Sequence, residues 1–142
     1  MKPVSELFKN RPNTLWSISP DATVFDALKE LAEKGVGALM VMENGKLVGI
    51  VSERDYTRKI ALQGKNSKET HVRDIMTADV LVVSPKTRSR ECMEIMATKN
   101  IRHLPVVDGT TIVGMLSIRD LMNDIIKDHE STIAHLESYI HQ

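Results

Sequence analysis

The chain has 142 residues, of which 42% are hydrophobic and 27% charged, and its formal net charge is zero. This composition is typical of a globular domain, and the balanced charge argues against nucleic acid or a membrane surface as a partner. The single cysteine, Cys92, excludes a disulfide within the chain, and no run approaches the ~20 apolar residues of a membrane span. Because the N-terminus also lacks the apolar core of a signal peptide, we expect a cytoplasmic protein.

The first half of the chain alternates short helix and strand patterns. We predict a helical turn at 4–8, a strand at 16–18 and a helix whose apolar stripe begins at Val24. Thr23 is the predicted N-cap of this helix and Gly35 its C-terminal stop. Strands at 38–42 and 46–51 flank an Asn44-Gly45 hairpin turn. A further helix begins at Ser52 and runs to about residue 62, before a polar linker at 63–70.

The second half repeats these patterns, in one unbroken register that relates 19–55 to 84–120. It predicts a helical turn at 71–76, a strand at 80–83, a helix, and strands at 103–107 and 111–116 around an Asp108-Gly109 turn. Cys92 replaces Ala27 in the repeat, so we expect a small core residue. One repeat of about 50 residues would bury too little apolar surface alone. We therefore predict an α/β fold of the α+β type, with two β-α-β-β-α repeats packed sheet to sheet in pseudo-twofold symmetry.

The last predicted helix begins at Ser117 and overruns the repeat, continuing without Pro or Gly to about residue 140. Two sets of residues in it are spaced by sevens: Met122, His129 and Leu136, and Ile126, Ile133 and Ile140. Two interpretations stay open. The helix either packs on its own domain or serves self-association or partner docking.

Both repeats contain a glycine-led strand that runs into a serine and then Arg-Asp. The sequence reads GIVSERD at 49–55 and GMLSIRD at 114–120. The Ser-x-x-Asp spacing is that of a capping box, which needs no arginine. The same residues suit a ribose-phosphate, because a helix start, a serine and an arginine attract phosphate while an aspartate accepts hydrogen bonds from ribose hydroxyls. The glycine leaves room for a ligand or a facing strand. The candidate binding residues are Ser52, Arg54, Asp55, Ser117, Arg119 and Asp120.

The chain resembles a tandem CBS-domain pair, or Bateman module. The resemblance rests on these segments, the Ser-Pro turns, the VRDIMT leader at 72–77 and the HLPVV strand at 103–107. The tail is similar to that of small stand-alone bacterial members. The resemblance implies one repeat at 1–70, with the N-terminal segment and linker, a second at 71–126, and a C-terminal helical extension at 127–142. It implies a regulatory module that senses an adenosine nucleotide, AMP first and then ADP or ATP. NAD(H) or S-adenosylmethionine is the alternative ligand.

The same resemblance implies a homodimer and an effector protein in another chain. It places each ligand cleft between the repeats. The implied lining adds the turns after the first strands and the strand entries: Ser19, Val24, Ser84, Ser89, Gly37, Ala38, Arg102 and His103. Because Arg102 and His103 supply charge and hydrogen bonds where Gly37 and Ala38 leave room, we predict unequal sites, with Arg102 on phosphate. Three alternatives stay open. Arg102 is a solvated strand end, His103 has a structural role, or the whole module binds no ligand and serves protein interaction.

We find no catalytic pattern in the chain. There is no Gly-rich phosphate loop, no nucleophile elbow and no nucleophile with an activating base. His129, His135 and His141 are six residues apart and so do not share a helix face. We expect no enzymatic activity, no cofactor and no metal.

Overall fold

The computed structural model describes residues 2–9 and 15–140, the last two of these by their backbone alone. The elements in order are α1 (Val4–Leu7), β1 (Ser17–Ile18), α2 (Val24–Lys34), β2 (Ala38–Glu43), β3 (Lys46–Ser52), α3 (Glu53–Tyr56), α4 (Val72–Ile75), α5 (Ser89–Lys99), β4 (His103–Asp108), β5 (Thr111–Ser117) and α6 (Ile118–Ile140). A π-helical stretch, Thr57–Ala61, continues α3. The strands form one sheet in the order β1-β2-β3 and one hairpin sheet, β4-β5. This mixed architecture confirms the predicted fold class.

The chain forms two compact units, named here by the repeat whose sheet they contain. The N-repeat unit is Thr14–Leu81, and the C-repeat unit combines Met1–Asn13 with Val82–Gln142. The units are therefore divided differently from the sequence repeats at 1–70 and 71–126. The leader that precedes each repeat, at 2–9 or 70–77, belongs to the unit of the other repeat.

Matching backbone hydrogen bonds hold the two leaders. In the N-repeat unit, the N–H of Val72 donates to the carbonyl of Ala22 at 2.9 Å. In the C-repeat unit, the N–H of Val4 donates to the carbonyl of Thr87 at 2.8 Å, and Thr87 is the counterpart of Ala22 in the sequence repeat. Val4 and Val72 are both fully buried. Each leader is thus part of a hydrophobic core.

The helix α2 begins and ends as the sequence predicts. Thr23 and Asp26 form a capping box, in which each side chain accepts a bond from the other's backbone N–H. Gly35 ends the helix in the left-handed region, with φ of 65°, which a residue without Cβ adopts at little cost. In α5 the same position is taken by Asn100, with φ of 53°.

Both hairpins have two-residue turns. Glu43 pairs with Lys46, so Asn44-Gly45 forms the first turn, as predicted. Asp108 pairs with Thr111, so the second turn is 109–110, one residue later than the predicted Asp108-Gly109. Gly109 has φ of 62° there, a conformation that favours glycine over aspartate.

The strand predicted at 80–83 is wrong in extent, because only Val83 pairs, in a parallel bridge with Val106. In the N-repeat unit, β1 is longer, since the N–H of Met40 donates to the carbonyl of Trp16 at 3.2 Å. Pro105 occupies the position equivalent to Met40 in the second repeat and has no N–H to donate. The ladder in the C-repeat unit therefore stops at one residue.

Each unit has its own hydrophobic core. The core of the N-repeat unit is Val24, Ala27, Leu31, Leu39, Val41, Val51, Ile60, Val72 and Ile75. The core of the C-repeat unit is Val4, Val83, Cys92, Met96, Leu104, Val106, Leu116 and Leu121. Cys92 is fully buried, which confirms the predicted core role. Burial raises the pKa of its thiol to about 11, and the charge of Glu91 adds to this effect.

The helix α6 is continuous, as predicted, and only its first turns pack on the C-repeat unit. Leu121 is buried there, whereas every described side chain from 129 to 138 is exposed. Four apolar side chains, called here the α6 stripe, are 52–55% exposed: Met122, Ile126, Ile133 and Leu136. The stripe does not pack on its own domain, so self-association or partner docking is the interpretation that stays open. The side chain of residue 140 and all of His141 lie outside the described residues.

In the part of the chain that the structure describes, no helix is both long and apolar enough to cross a membrane. The cytoplasmic location stays a prediction.

Candidate functional site

The first corner, defined as residues 37–38 and 52–55, lies in the N-repeat unit where β3 runs into α3. Ala38 pairs with Ser52 across the antiparallel ladder. The N–H of Glu53 donates to the carbonyl of Gly37 at 3.1 Å. The strand entry and the serine-led helix start, which the sequence nominated separately, are therefore neighbours.

A capping box closes the first corner. The N–H of Ser52 donates to Asp55 Oδ2 at 2.9 Å, and the N–H of Asp55 donates to Ser52 Oγ at 3.2 Å. Lys59 Nζ lies 3.3 Å from the other carboxylate oxygen, Asp55 Oδ1. Lys59 was not among the residues predicted from the sequence, although its place four residues after an aspartate on a helix is a recognisable ion-pair signal.

The second corner, defined as residues 102–103 and 117–120, has the same backbone geometry in the C-repeat unit. His103 pairs with Ser117, and the N–H of Ile118 donates to the carbonyl of Arg102 at 2.9 Å. The N–H of Ser117 donates to Asp120 Oδ2 at 2.8 Å, and the N–H of Asp120 donates to Ser117 Oγ at 3.2 Å. Capping is thus realised at both helix starts. The same serine and aspartate atoms are the candidate ligand groups.

The charged surroundings of the two corners differ. Arg102 and Arg119 are exposed at the second corner. Burial lowers the pKa of His103, the charge of Arg102 lowers it further, and the charge of Asp120 opposes both. His103 is therefore neutral at pH 7 and can both donate and accept a hydrogen bond. In the first corner, Gly37 and Ala38 take the places of Arg102 and His103.

The glycine that leads each segment makes room for a leader. A Cβ on Gly49 would lie 2.7 Å from Met76 Sδ and 2.9 Å from the Thr77 carbonyl oxygen. A Cβ on Gly114 would meet only the ring of Phe8, at 3.6 Å, which is ordinary contact. Gly49 is thus required by packing in its own unit, independently of any ligand.

The turns after the first strands lie away from the corners of their own units. Ile18 pairs with Val41, so Ser19 follows the far end of β2 while Ala38 begins it, about 13 Å away at ~3.3 Å per residue. The Oγ of Ser19 accepts from the N–H of Asp21 at 3.1 Å. In the other repeat, Ser84 Oγ likewise accepts from the N–H of Lys86 at 3.2 Å. Neither unit by itself brings Ser19 or Ser84 to its corner.

The last two nominated side chains are buried. Val24 is 1% exposed in the core of the N-repeat unit, and Ser89 is fully buried in the C-repeat unit. Their N–H groups are already bonded, to the carbonyls of Thr70 and Lys2. Neither side chain is therefore exposed at the surface of its unit.

A groove of about 360 Å³ opens beside the second corner, within the C-repeat unit. It is lined by Met93, Met96, Ala97, Asn100, Ile101, Arg102, Ile118, Leu121 and Met122. This volume is at the small end of ligand pockets. Met96 is buried whereas Met93 is partly exposed, a difference that helical spacing alone does not reveal. Among the described residues, no group of three or more His, Cys, Asp or Glu side chains could hold a metal ion.

Known sequences are similar to this chain along most of its length. The family model of the CBS domain matches residues 4–62 and 72–127. The CBS domain-containing protein CBSX3, mitochondrial, of Arabidopsis thaliana is 37% identical over 147 residues, which cover 96% of this chain and 71% of that protein.

Solved structures are similar over most of the chain. A protein with CBS domains from Burkholderia ambifaria has a TM-score of 0.87 and 43% identity, over 89% of this chain and 96% of its own. The CBS domain protein PAE2072 from Pyrobaculum aerophilum, complexed with AMP, has a TM-score of 0.73 and 28% identity. The latter match covers 84% of this chain and 89% of that one.

Proposed function

The chain belongs to the CBS-domain family, whose paired domains are regulatory modules, and we propose that it senses an adenosine nucleotide at its serine-led corners. AMP is the first candidate, followed by ADP and ATP. The observation that carries this proposal is the recurrence of one geometry, in which a serine, an aspartate and a helix start lie beside a strand entry. Binding would be signalled to an effector protein in another chain.

The corner atoms match the parts of a nucleotide. A carboxylate has about four lone-pair sites, which is more than a capping box uses. Asp55 and Asp120 can therefore also accept hydrogen bonds from the two hydroxyls of a ribose. Arg102 and Arg119 are exposed beside the second corner, and a guanidinium is well shaped for phosphate oxygens.

We propose that the two corners differ in affinity, with the phosphate-containing ligand tighter at the second. Lys59 lies beside Asp55 Oδ1, so a ribose hydroxyl at that oxygen would compete with an ammonium. The second corner adds Arg102 and the neutral His103, whereas Gly37 and Ala38 add no charge. The solved structure of PAE2072 complexed with AMP supports AMP as the first ligand to test.

Calorimetry and thermal shift with AMP, ADP, ATP, NAD⁺, NADH and S-adenosylmethionine test the proposal. A ligand at ~100 times its dissociation constant adds about 2.7 kcal/mol to the free energy of unfolding. We expect AMP to stabilise the wild type, with the larger loss in Asp120→Ala and the smaller in Asp55→Ala. No shift with any of the six at millimolar concentration would contradict the proposal. A thermal shift with NAD(H) or S-adenosylmethionine alone would show that this compound, and not AMP, is the ligand.

A second candidate function is a ligand-free dimerisation module, and the exposed α6 stripe favours it. Four large apolar side chains on one helix face recur at spacings of four, seven and three residues, which is the pattern of a helix-pairing surface. We propose a homodimer in which this stripe of one copy packs on that of a second. The proposed dimer is compatible with nucleotide sensing, so only the binding measurements separate the two functions.

A further inference from the structure

The side chain one turn after each corner aspartate links the helix that follows the corner to the docked leader. Lys59 and Asp124 hold equivalent positions in the two sequence repeats. Lys59 Nζ donates to the carbonyl of Ile75 at 2.7 Å, where the leader helix α4 ends. Asp124 Oδ1 accepts from Lys2 Nζ at 3.1 Å, where the other leader begins. The two linking side chains hold the same position in the repeat and have opposite charge, but one reaches the end of its leader and the other the beginning.

The reversed charge changes the electrostatic surroundings of the two corner aspartates. In the first corner, Lys59 attracts Asp55 across one helical turn, at 3.3 Å. In the second, Asp124 follows Asp120 by four residues, and like charges at this spacing repel on a helix. The helix start that carries Ser117 therefore contains a like-charged pair of carboxylates, where its counterpart contains an ion pair.

Asp124 is also buried. Its side chain is 5% exposed, and its Oδ2 has no hydrogen-bond partner among the described residues. A buried carboxylate is costly unless a counter-charge is present. Lys2 supplies that charge, and the half-buried Asp128 lies 3.7 Å from the same ammonium.

The backbone of the leader holds Lys2 in place. The carbonyl of Lys2 accepts from the N–H of Ser89 at 2.9 Å, and Pro3 forms a bridge with Arg88. The hydrogen bond and charge of Asp124, with a smaller contribution from Asp128, raise the pKa of Lys2. The ammonium is therefore charged at any pH near neutrality.

We propose that Lys2 and Asp124 are positioning residues of the second corner, which hold Ser117 and Asp120 in place while the N-terminal leader is docked. At the first corner the cation beside Asp55 is Lys59 of the same helix, whereas the cation that pairs with Asp124 comes from the N-terminal leader. Loss of the leader contact therefore loosens one corner and spares the other. The consequence for ligand binding rests on the proposed function, whereas the link itself is testable without ligand.

Amide hydrogen exchange of the full chain tests the link. Lys2→Met removes the ammonium and keeps most of the apolar stem. Arg90→Ala is the control, because it also removes a cation from an ion pair, the exposed pair with Glu94 elsewhere on the C-repeat unit. We expect Lys2→Met to speed exchange at 117–121 by about twofold or more and to leave 52–56 unchanged. In 1 M NaCl, where the Debye length is about 3 Å, the wild type should approach the variant.

The double variant Lys2→Met/Asp124→Lys tests the equivalence of the two links. The introduced ammonium would follow Asp120 by four residues, as Lys59 follows Asp55, so protection at 117–121 should return in the double variant and weaken again in 1 M NaCl. Exchange in Lys2→Met equal to that in Arg90→Ala, or raised equally at both corners, overturns the proposal.

Titration with AMP in an Asp55→Ala background separates the positioning role of Lys2 from the proposed nucleotide binding. Weaker AMP binding in Lys2→Met, by about twofold or more, supports the positioning role. Altered exchange with no AMP binding in any variant leaves the link standing and contradicts the proposed function. AMP binding that Lys2→Met does not change overturns the positioning role alone.

Discussion

Met76 packs against the backbone of Gly49 so closely that its sulfur would lie 2.7 Å from a Cβ placed there. This contact joins the leader of the N-repeat unit to the strand that ends at Ser52. The hydrogen bonds exchanged by Ile50 and Thr77, at 3.0 and 2.8 Å, prevent the leader from moving away. The same sequence position in the other repeat, Gly114, meets only the edge of Phe8.

Gly49→Ala should therefore be destabilising, by about 1–3 kcal/mol, because a methyl group is forced into a packed contact with backbone on one side. Gly114→Ala is the matched control. Its Cβ would make ordinary contact, and reduced freedom of the unfolded chain offsets part of any cost. Chemical denaturation of the two variants provides the measurement. Equal destabilisation would show that leader packing is not what requires Gly49.

Arg102→Met should weaken AMP binding about tenfold. A hydrogen bond to a charged group contributes about 1.5 kcal/mol or more, and this corresponds to one order of magnitude in the dissociation constant. Lys99→Met removes an exposed cation three residues earlier, at the end of α5, and serves as the control for net charge. An equal effect of both variants in calorimetry would mean that Arg102 acts only through the general field.

His103 predicts a pH dependence of stability. Its folded pKa lies below the usual 6.5, so the unfolded chain binds more protons as the pH falls through that value. Stability should therefore decrease below about pH 6.5. In His103→Ala, which introduces the residue of the first repeat at this strand position, the decrease between pH 7 and 5.5 should be smaller. Thermal midpoints across this range measure it, and an identical slope in both proteins would contradict the assignment.

Ile133→Glu should reduce self-association through the α6 stripe. A charge on this face would have to be desolvated or left unpaired in a helix pair. Ser131→Glu adds the same charge two residues away on another face of the helix and is the control. Light scattering after size-exclusion chromatography gives the mass. A monomeric wild type, or a dimer that survives Ile133→Glu but not Ser131→Glu, would rule out the stripe as the dimer surface.

The elements that the sequence determined are those set by local interactions. The capping box of Thr23 and Asp26, the glycine stop at Gly35 and the Asn44-Gly45 turn depend on residues within three or four positions of one another. Because residues 84–120 repeat residues 19–55, each interpretation of the first half also predicted an element in the second. The serine-led helix starts were predictable for the same reason, since the Ser-x-x-Asp spacing is itself the capping geometry.

The two sequence repeats differ at two places that affect the structure. Pro105 shortens the strand predicted at 80–83, because the missing N–H removes a ladder bond that Met40 provides in the first repeat. Lys59 and Asp124 reverse the charge beside the two corner aspartates. Both differences can be read in the sequence, but their effect depends on which backbone or side chain lies opposite.

Only the tertiary structure decided which leader packs in which unit. Lys2 and Asp124 are separated by 122 positions, and no periodicity relates them. Their contact follows from the docking of the leader on backbone groups of 85–88, and that docking depends on burial of Val4 rather than on a local pattern. Spacing along the chain therefore predicted the corners, and long-range burial determined what holds them in place.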